Sequence, residues 1–260
     1  MNIRTSRWLL AGAVVLGLGI ALTAYWQQRV PPEILTARKL GAELSKNGRE
    51  GVTACVSCHG EHGQGNPEAG FPRLAGLHPG YFSRQLQDFA RERPLTGAHF
   101  DKIARDYSKT PRINLPYSIL TPGLRQDPVM SPIAKALKPA EIEGLAQYYA
   151  SMPFVAKSLA GDPETLERGE DLFLRGKPEY GVPGCVSCHG QNAVGVGAIF
   201  PALAGQPPQY IVEQINRWQS GSRDNDENGL MRSIAEWMTE GDKQAVAAYI
   251  ANLSYSTPKK

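Results

Sequence analysis

Apolar positions along this chain form one continuous block and then scattered, periodic stripes. The block runs from Trp8 to Trp26, WLLAGAVVLGLGIALTAYW, 19 residues without a charge, behind Arg4 and Arg7. As a helix it would span about 28 Å, close to the thickness of a bilayer's hydrocarbon core. The positive charges ahead of it and Tyr25-Trp26 at its far end predict an uncleaved N-terminal membrane anchor over residues 1–30, oriented inside to outside. The alternative is a cleaved signal peptide, whose apolar region is shorter and ends in small residues. Either way, residues 27–260 leave the cytoplasm.

Beyond the block the pattern is helical. Ile142, Leu145 and Tyr149 recur along one helix face, as do Val246, Tyr249 or Ile250, and Leu253. Asp162-Pro163 reads as a cap followed by proline at the first helical position. No stretch alternates with the period of two that a strand needs, so the expected class is all-α.

The stripes also repeat. CVSCHG at Cys55–Gly60 returns at Cys185–Gly190, FPRLAG at Phe71 returns as FPALAG at Phe200, and Tyr81 with Gln85 returns as Tyr210 with Gln214. The 21 residues from Met130 align without a gap on those from Met231. Identical order in both halves predicts a tandem duplication: domain 31–156, then domain 157–260, joined through SMPFVAKSLAGDP. Each half reads as helix, binding loop, short helices and a closing helix. The first carries an insertion rich in Pro, Arg and Lys at about residues 91–128, expected as a long, partly ordered loop.

Composition changes this picture little. Hydrophobic content of 42% and charged content of 20% suit a globular protein, and a net charge of +3 gives no case for nucleic acid. Its distribution matters more, since residues 27–156 carry a net +4 and residues 157–260 a net −3. Such a dipole suits orientation toward a charged partner.

All four cysteines lie in the two hexapeptides. Paired cysteines of this spacing serve disulfides, zinc half-sites and redox dithiols, but a histidine directly after the second singles out covalent haem c. Cys55, Cys58, Cys185 and Cys188 would form thioethers to two porphyrins, and His59 and His189 would become the proximal iron ligands. Of the five methionines, only Met130 and Met231 coincide when the halves are aligned, which makes them the expected opposite ligands. Met152 and Met238 read as core packing. His62, His78 and His99 have no counterparts in the second half and read as surface or loop residues, with His99 the one alternative ligand candidate.

The two CVSCHG motifs, the FPxLAG segments, the Tyr-x-x-x-Gln pairs and the Met-led closing helices resemble the dihaem cytochrome c4 family over about residues 33–255. The resemblance implies two class I cytochrome c domains in tandem, with His/Met ligation of both irons and haems close enough for internal electron transfer. It also implies that the Pro72 and Pro201 carbonyls hold the proximal histidines, and that Tyr81 and Tyr210 approach a haem propionate. From the sequence alone those tyrosines serve equally as core aromatics.

The expected function is electron transfer in a respiratory chain, from a quinol-oxidising complex or dehydrogenase to a terminal oxidase or another cytochrome. The protein would sit at the bacterial inner membrane with its haem domains in the periplasm. The alternatives are a fixed haem subunit of a larger respiratory complex, or a dihaem oxidoreductase of the thiosulfate dehydrogenase or peroxidase kind. The attachment motifs leave no cysteine over for a thiolate-ligated catalytic iron, and two matched methionines argue against an open one.

Overall fold

A computed structural model describes residues 30–91, 125–156 and 161–253. The expected anchor and most of the inserted loop, His99 included, lie outside the described residues. Among the described residues no helix is long and apolar enough to cross a membrane.

The first half is built from α1 (Pro32–Asn47), the single turn α2 (Val56–His59), α3 (Pro79–Ala90), α4 (Met130–Ala136) and α5 (Pro139–Ser151). The second repeats the order with α6 (Pro163–Arg175), α7 (Val186–His189), α8 (Pro208–Gln219), α9 (Leu230–Ala235) and α10 (Glu240–Asn252). Only isolated β-bridges join the described loops, in keeping with the expected all-α class.

Sequence sets the helix ends. The α6 cap is Asp162, which accepts from the Thr165 amide, with Pro163 next. Thr239 and Asp242 form a reciprocal capping box at α10.

In each half the first and last helices cross at a glycine. A Cβ on Gly41 would lie 2.0 Å from the Gly144 carbonyl oxygen, and one on Gly169 would lie 2.1 Å from that of Ala245. Removing the side chain lets the backbones touch, which is the reason for glycine here.

Equivalent ion pairs fasten the crossings. Arg49 donates to both carboxylate oxygens of Glu141 at 2.8 and 2.6 Å and to the Ala136 carbonyl at 2.6 Å. At the same place Lys177 donates to Asp242 at 3.1 Å and to the Trp237 carbonyl at 2.9 Å. Hydrogen bonding from Arg49 holds the Glu141 carboxyl down at about 2, against burial.

Each half has its own core, filled differently. Ser45 and Tyr149 are fully buried in the first and share a 2.7 Å hydrogen bond; Phe173 and Ile250 take the equivalent places in the second. Gly63 matches this arrangement, since a Cβ there would come within 2.8 Å of the Tyr149 ring. Its counterpart Ala193 shares the left-handed backbone, φ 54° against 60°. It keeps its methyl where isoleucine replaces the ring.

Candidate haem sites and the seam between them

Each attachment motif makes one helical turn. The His59 and His189 amides each donate to the first cysteine's carbonyl at 2.9 Å. Gly60 and Gly190 then reverse the chain at φ 79° and 77°, where side chains are disfavoured. The reversal lets the FPxLAG segments fold back beside the histidines. Leu74 and Ala75 both donate to the Gly63 carbonyl, and Leu203 and Ala204 to that of Ala193.

The fold-back places a proline carbonyl against each imidazole. His59 Nδ1 lies 2.9 Å from Pro72 O, and His189 Nδ1 lies 2.9 Å from Pro201 O. With Nδ1–H donating, Nε2 carries the free lone pair, the arrangement a metal-bound histidine uses. Both imidazoles are 6% exposed. Burial pushes them below their ordinary pKa against the raising effect of the carbonyls.

A cavity of about 520 Å³ opens beside His59. Cys55, Cys58, His59, Pro72, Tyr81 and Met130 line it, with Leu77, Phe82, Leu86 and Ile133. Residues of the second half complete the wall, among them Pro201, Leu203, Gln206, Tyr210 and Gln214. In the second half Cys185 and Met231 are half-buried against the core that holds Leu172, Phe173 and Ile250. Met238 is buried in that core and Met152 packs on the first one. His62 is exposed, and exposed His78 accepts from the Gly80 amide at 3.2 Å as the cap of α3.

The donors fit covalent haem. The four thiols are not joined in disulfides, and burial raises Cys185 to about 11. Among the described residues no three His, Cys, Asp or Glu side chains gather as a metal site. A large apolar cavity holding two thiols, one imidazole and one thioether suits an apolar macrocycle carrying iron.

The halves meet in a polar seam that the sequence did not disclose. Gln206 accepts from the Arg73 amide at 2.9 Å and donates to the Arg73 carbonyl at 3.0 Å, as a peptide strand would. Arg73 also donates through Nη2 to the Ala202 carbonyl at 3.1 Å. FPRLAG and FPALAG differ only at these two equivalent positions.

Below them Arg125 and Arg223 pair through an antiparallel bridge. Arg125 donates to Gln85 of its own half at 2.8 Å, and to Tyr210 and Gln214 of the other at 2.5 and 3.2 Å. Arg223 does the converse, reaching Gln214 at 2.9 Å and Gln85 at 3.2 Å, with Tyr81 at 3.5 Å. Asn225 accepts from Arg223 at 2.8 Å and donates to Gln85 and Asp88. The repeated Tyr-x-x-x-Gln spacing was the available signal: four residues apart on a helix, phenol and amide share one face.

Two all-α halves, each presenting a Cys-x-x-Cys-His turn with its imidazole tied to a proline carbonyl, define a diheme c-type cytochrome. The chain belongs to the cytochrome c family, whose profile matches residues 41–153 and 166–254, and within it follows the cytochrome c4 pattern with two covalent haems c. It is 33% identical over 203 residues to cytochrome c4 of Thiocapsa roseopersicina, covering 77% of this chain and 87% of that one. It is 40% identical over 201 residues to a thiosulfate dehydrogenase electron acceptor of Stutzerimonas stutzeri, covering 77% of this chain and 79% of the relative. Reduced cytochrome c4 of Pseudomonas stutzeri superposes with a TM-score of 0.62 at 28% identity, over 84% of this chain and 98% of that one. Thiosulfate dehydrogenase of Marichromatium purpuratum superposes with a TM-score of 0.65 at 31% identity, over 82% of this chain but 39% of the larger enzyme chain.

Proposed function

We propose that this protein is a periplasmic electron carrier that takes electrons from a thiosulfate-oxidising dehydrogenase and passes them toward a terminal oxidase or another cytochrome. The observation that carries the carrier role is the first cavity, where Met130 joins Cys55, Cys58 and His59 in one wall. Haem iron supplies a one-electron ferric–ferrous couple when bound. Cys55 and Cys58 would hold the first haem covalently and His59 and Met130 would ligate its iron, and Cys185, Cys188, His189 and Met231 would do the same in the second half. A thioether ligand alongside imidazole would favour ferrous iron and raise the potential, and it would leave substrate no place on the iron. Pro72 and Pro201 hold the imidazoles in one tautomer and orientation. Domain limits at 31–156 and 157–260 follow from the same duplication.

The partner is supported by the acceptor named in the Stutzerimonas relative and by the likeness to part of an enzyme of the corresponding name. Redox encounters use small, transient interfaces, which the unequal charge of the halves would steer. The test is stopped-flow reduction of the oxidised protein by thiosulfate with a thiosulfate dehydrogenase. Reduction of both haems within the mixing experiment is expected, and no reduction above the thiosulfate-only control rejects the partner. In the same preparation, Met130→Ala and Met231→Ala each remove half of the long-wavelength methionine–ferric band. Loss from only one variant rejects the matched assignment.

A further inference from the structure

Tyr149 and Ser45 are both fully buried and share a 2.7 Å hydrogen bond in which either oxygen can donate. The Tyr149 hydroxyl also hydrogen-bonds the side chain of Cys55, so three polar groups line up between α1, α5 and the first haem turn. The second half is built otherwise. Phe173 stands for Ser45 and Ile250 for Tyr149, and the Cys185 sulfur faces the Leu172 carbonyl at 3.9 Å. Tyr249, the counterpart of Tyr148, turns its hydroxyl to Glu170 at 3.5 Å on an exposed face.

Each of the two hydroxyls has one hydrogen. A free Cys55 thiol has one as well, so in the unattached chain its contact with Tyr149 can run in either sense. Covalent attachment removes that freedom. The thiol adds across a vinyl group, its sulfur bonding the inner carbon and its hydrogen passing to the outer one, with no net oxidation. The thioether sulfur that remains can only accept. The contact then survives only with the Tyr149 hydrogen on sulfur, and the phenol oxygen takes the Ser45 hydrogen instead. A buried chain of this kind is polarised along its length. The Tyr149 ring is also held in place: it stacks on Phe82 at 5.5 Å and lies against Gly63, where a Cβ would come within 2.8 Å.

We propose that Ser45, Tyr149 and the Cys55 thioether form a one-way hydrogen-bond chain that raises the first haem's potential. Among the described residues it belongs to the first half alone, and it rests on the haem reading above. Donation to the sulfur draws electron density from the substituent that joins it to the ring, and an electron-poorer ring favours ferrous iron. The two haem turns are the same six residues, so the difference comes from the helices packed behind them. Thioether sulfur is a weak acceptor, which keeps the expected effect modest.

The test uses the full-length holoprotein, by proton NMR and redox titration. In the ferrous, diamagnetic state a slowly exchanging hydroxyl proton should show a nuclear Overhauser contact with the protons of the Cys55 thioether bridge. Tyr149→Phe should abolish that signal and shift the first haem's reduction equilibrium about twofold or more toward ferric, with a smaller change at the second haem. Ser45→Ala should keep the signal and hold the first haem within about twofold, because the Tyr149 hydroxyl stays on the sulfur. A smaller or opposite first-haem shift in Tyr149→Phe, or one the second haem matches, overturns the proposal when both haems are spectroscopically intact. So does a Ser45→Ala shift beyond its bound, since packing and not donation would then be responsible. A wild-type spectrum without the hydroxyl–thioether contact overturns it as well, and decides alone should Tyr149→Phe fail to accumulate. A wild-type protein that does not carry two haems defeats the haem reading itself, a result visible before any variant is made.

Discussion

Gln206 offers the sharpest test of how the halves are joined. Its amide is 4% exposed and satisfies both the amide and the carbonyl of Arg73. Arg73 directly follows Pro72, whose carbonyl holds His59. The equivalent position in the first half is Leu77, so Gln206→Leu keeps a similar volume and removes only the polar pairing. The substitution removes both buried hydrogen bonds to the Arg73 backbone, at about 1–3 kcal/mol each, and partial relaxation brings the total to about 2–4 kcal/mol. For a protein of this size each kcal/mol lowers the melting temperature by about 2–4 °C, giving a drop of about 4–16 °C. Thermal unfolding followed by far-UV circular dichroism reads it directly, and Soret dichroism of the first haem reports on the loosened Pro72–His59 segment. A melting temperature within 1 °C of wild type at roughly unchanged enthalpy would refute the reasoning, because two buried hydrogen bonds cannot be removed at no cost.

Two further outcomes concern the first half. Tyr149→Phe removes the partner of the buried Ser45 hydroxyl and should cost about 1–3 kcal/mol, Ser45→Ala should cost less because the Tyr149 hydroxyl keeps Cys55 as a partner, and the double variant costs less than their sum; strict additivity in denaturant unfolding would count against the pair. The Glu141 carboxyl is held at about 2 in the folded protein, below its unfolded value of about 4.3. Its contribution is therefore complete above about pH 4.3 and fades as pH falls toward 2. Glu141→Gln should lower the denaturant midpoint at pH 6 and converge on wild type near pH 2; a gap that stays constant with pH contradicts the assignment.

Much of this molecule is legible in its sequence because duplication prints each candidate site residue twice. Cys55 and Cys185, His59 and His189, Met130 and Met231 stand out by coincidence, and the histidine–proline contacts lie where the resemblance implied. Helical stripes at Ile142 and Val246 also read directly, since local periodicity and core burial agree. The seam between the halves did not read, for a physical reason. Gln206 and Arg73 act where one copy meets the other, so the repeat marks them only as mismatches. Gln206 faces Leu77 in alignment, and Arg73 faces Ala202. Arg125 ends a segment that composition alone assigns to a loop, and nothing local announces that its guanidinium turns inward. A polar residue in one copy against an apolar one in the other, inside otherwise repeated segments, was a usable sign beside the repeated Tyr-x-x-x-Gln spacing.

The unlike cores of the two halves bear on how a duplicated chain reaches the right partner during folding. Similar tandem domains are prone to exchange elements, and here the closing helices α5 and α10 are similar enough to compete for the same groove. If α5 settled against the second half, the Tyr149 ring would press on the methyl of Ala193 and on Phe173. If α10 settled against the first, Ile250 would leave the Ser45 hydroxyl buried without an acceptor. Either exchange is penalised by the same three positions, glycine, serine and tyrosine in one copy and alanine, phenylalanine and isoleucine in the other. Divergence inside the cores thus acts as an address label, keeping each closing helix with the haem turn it was made alongside.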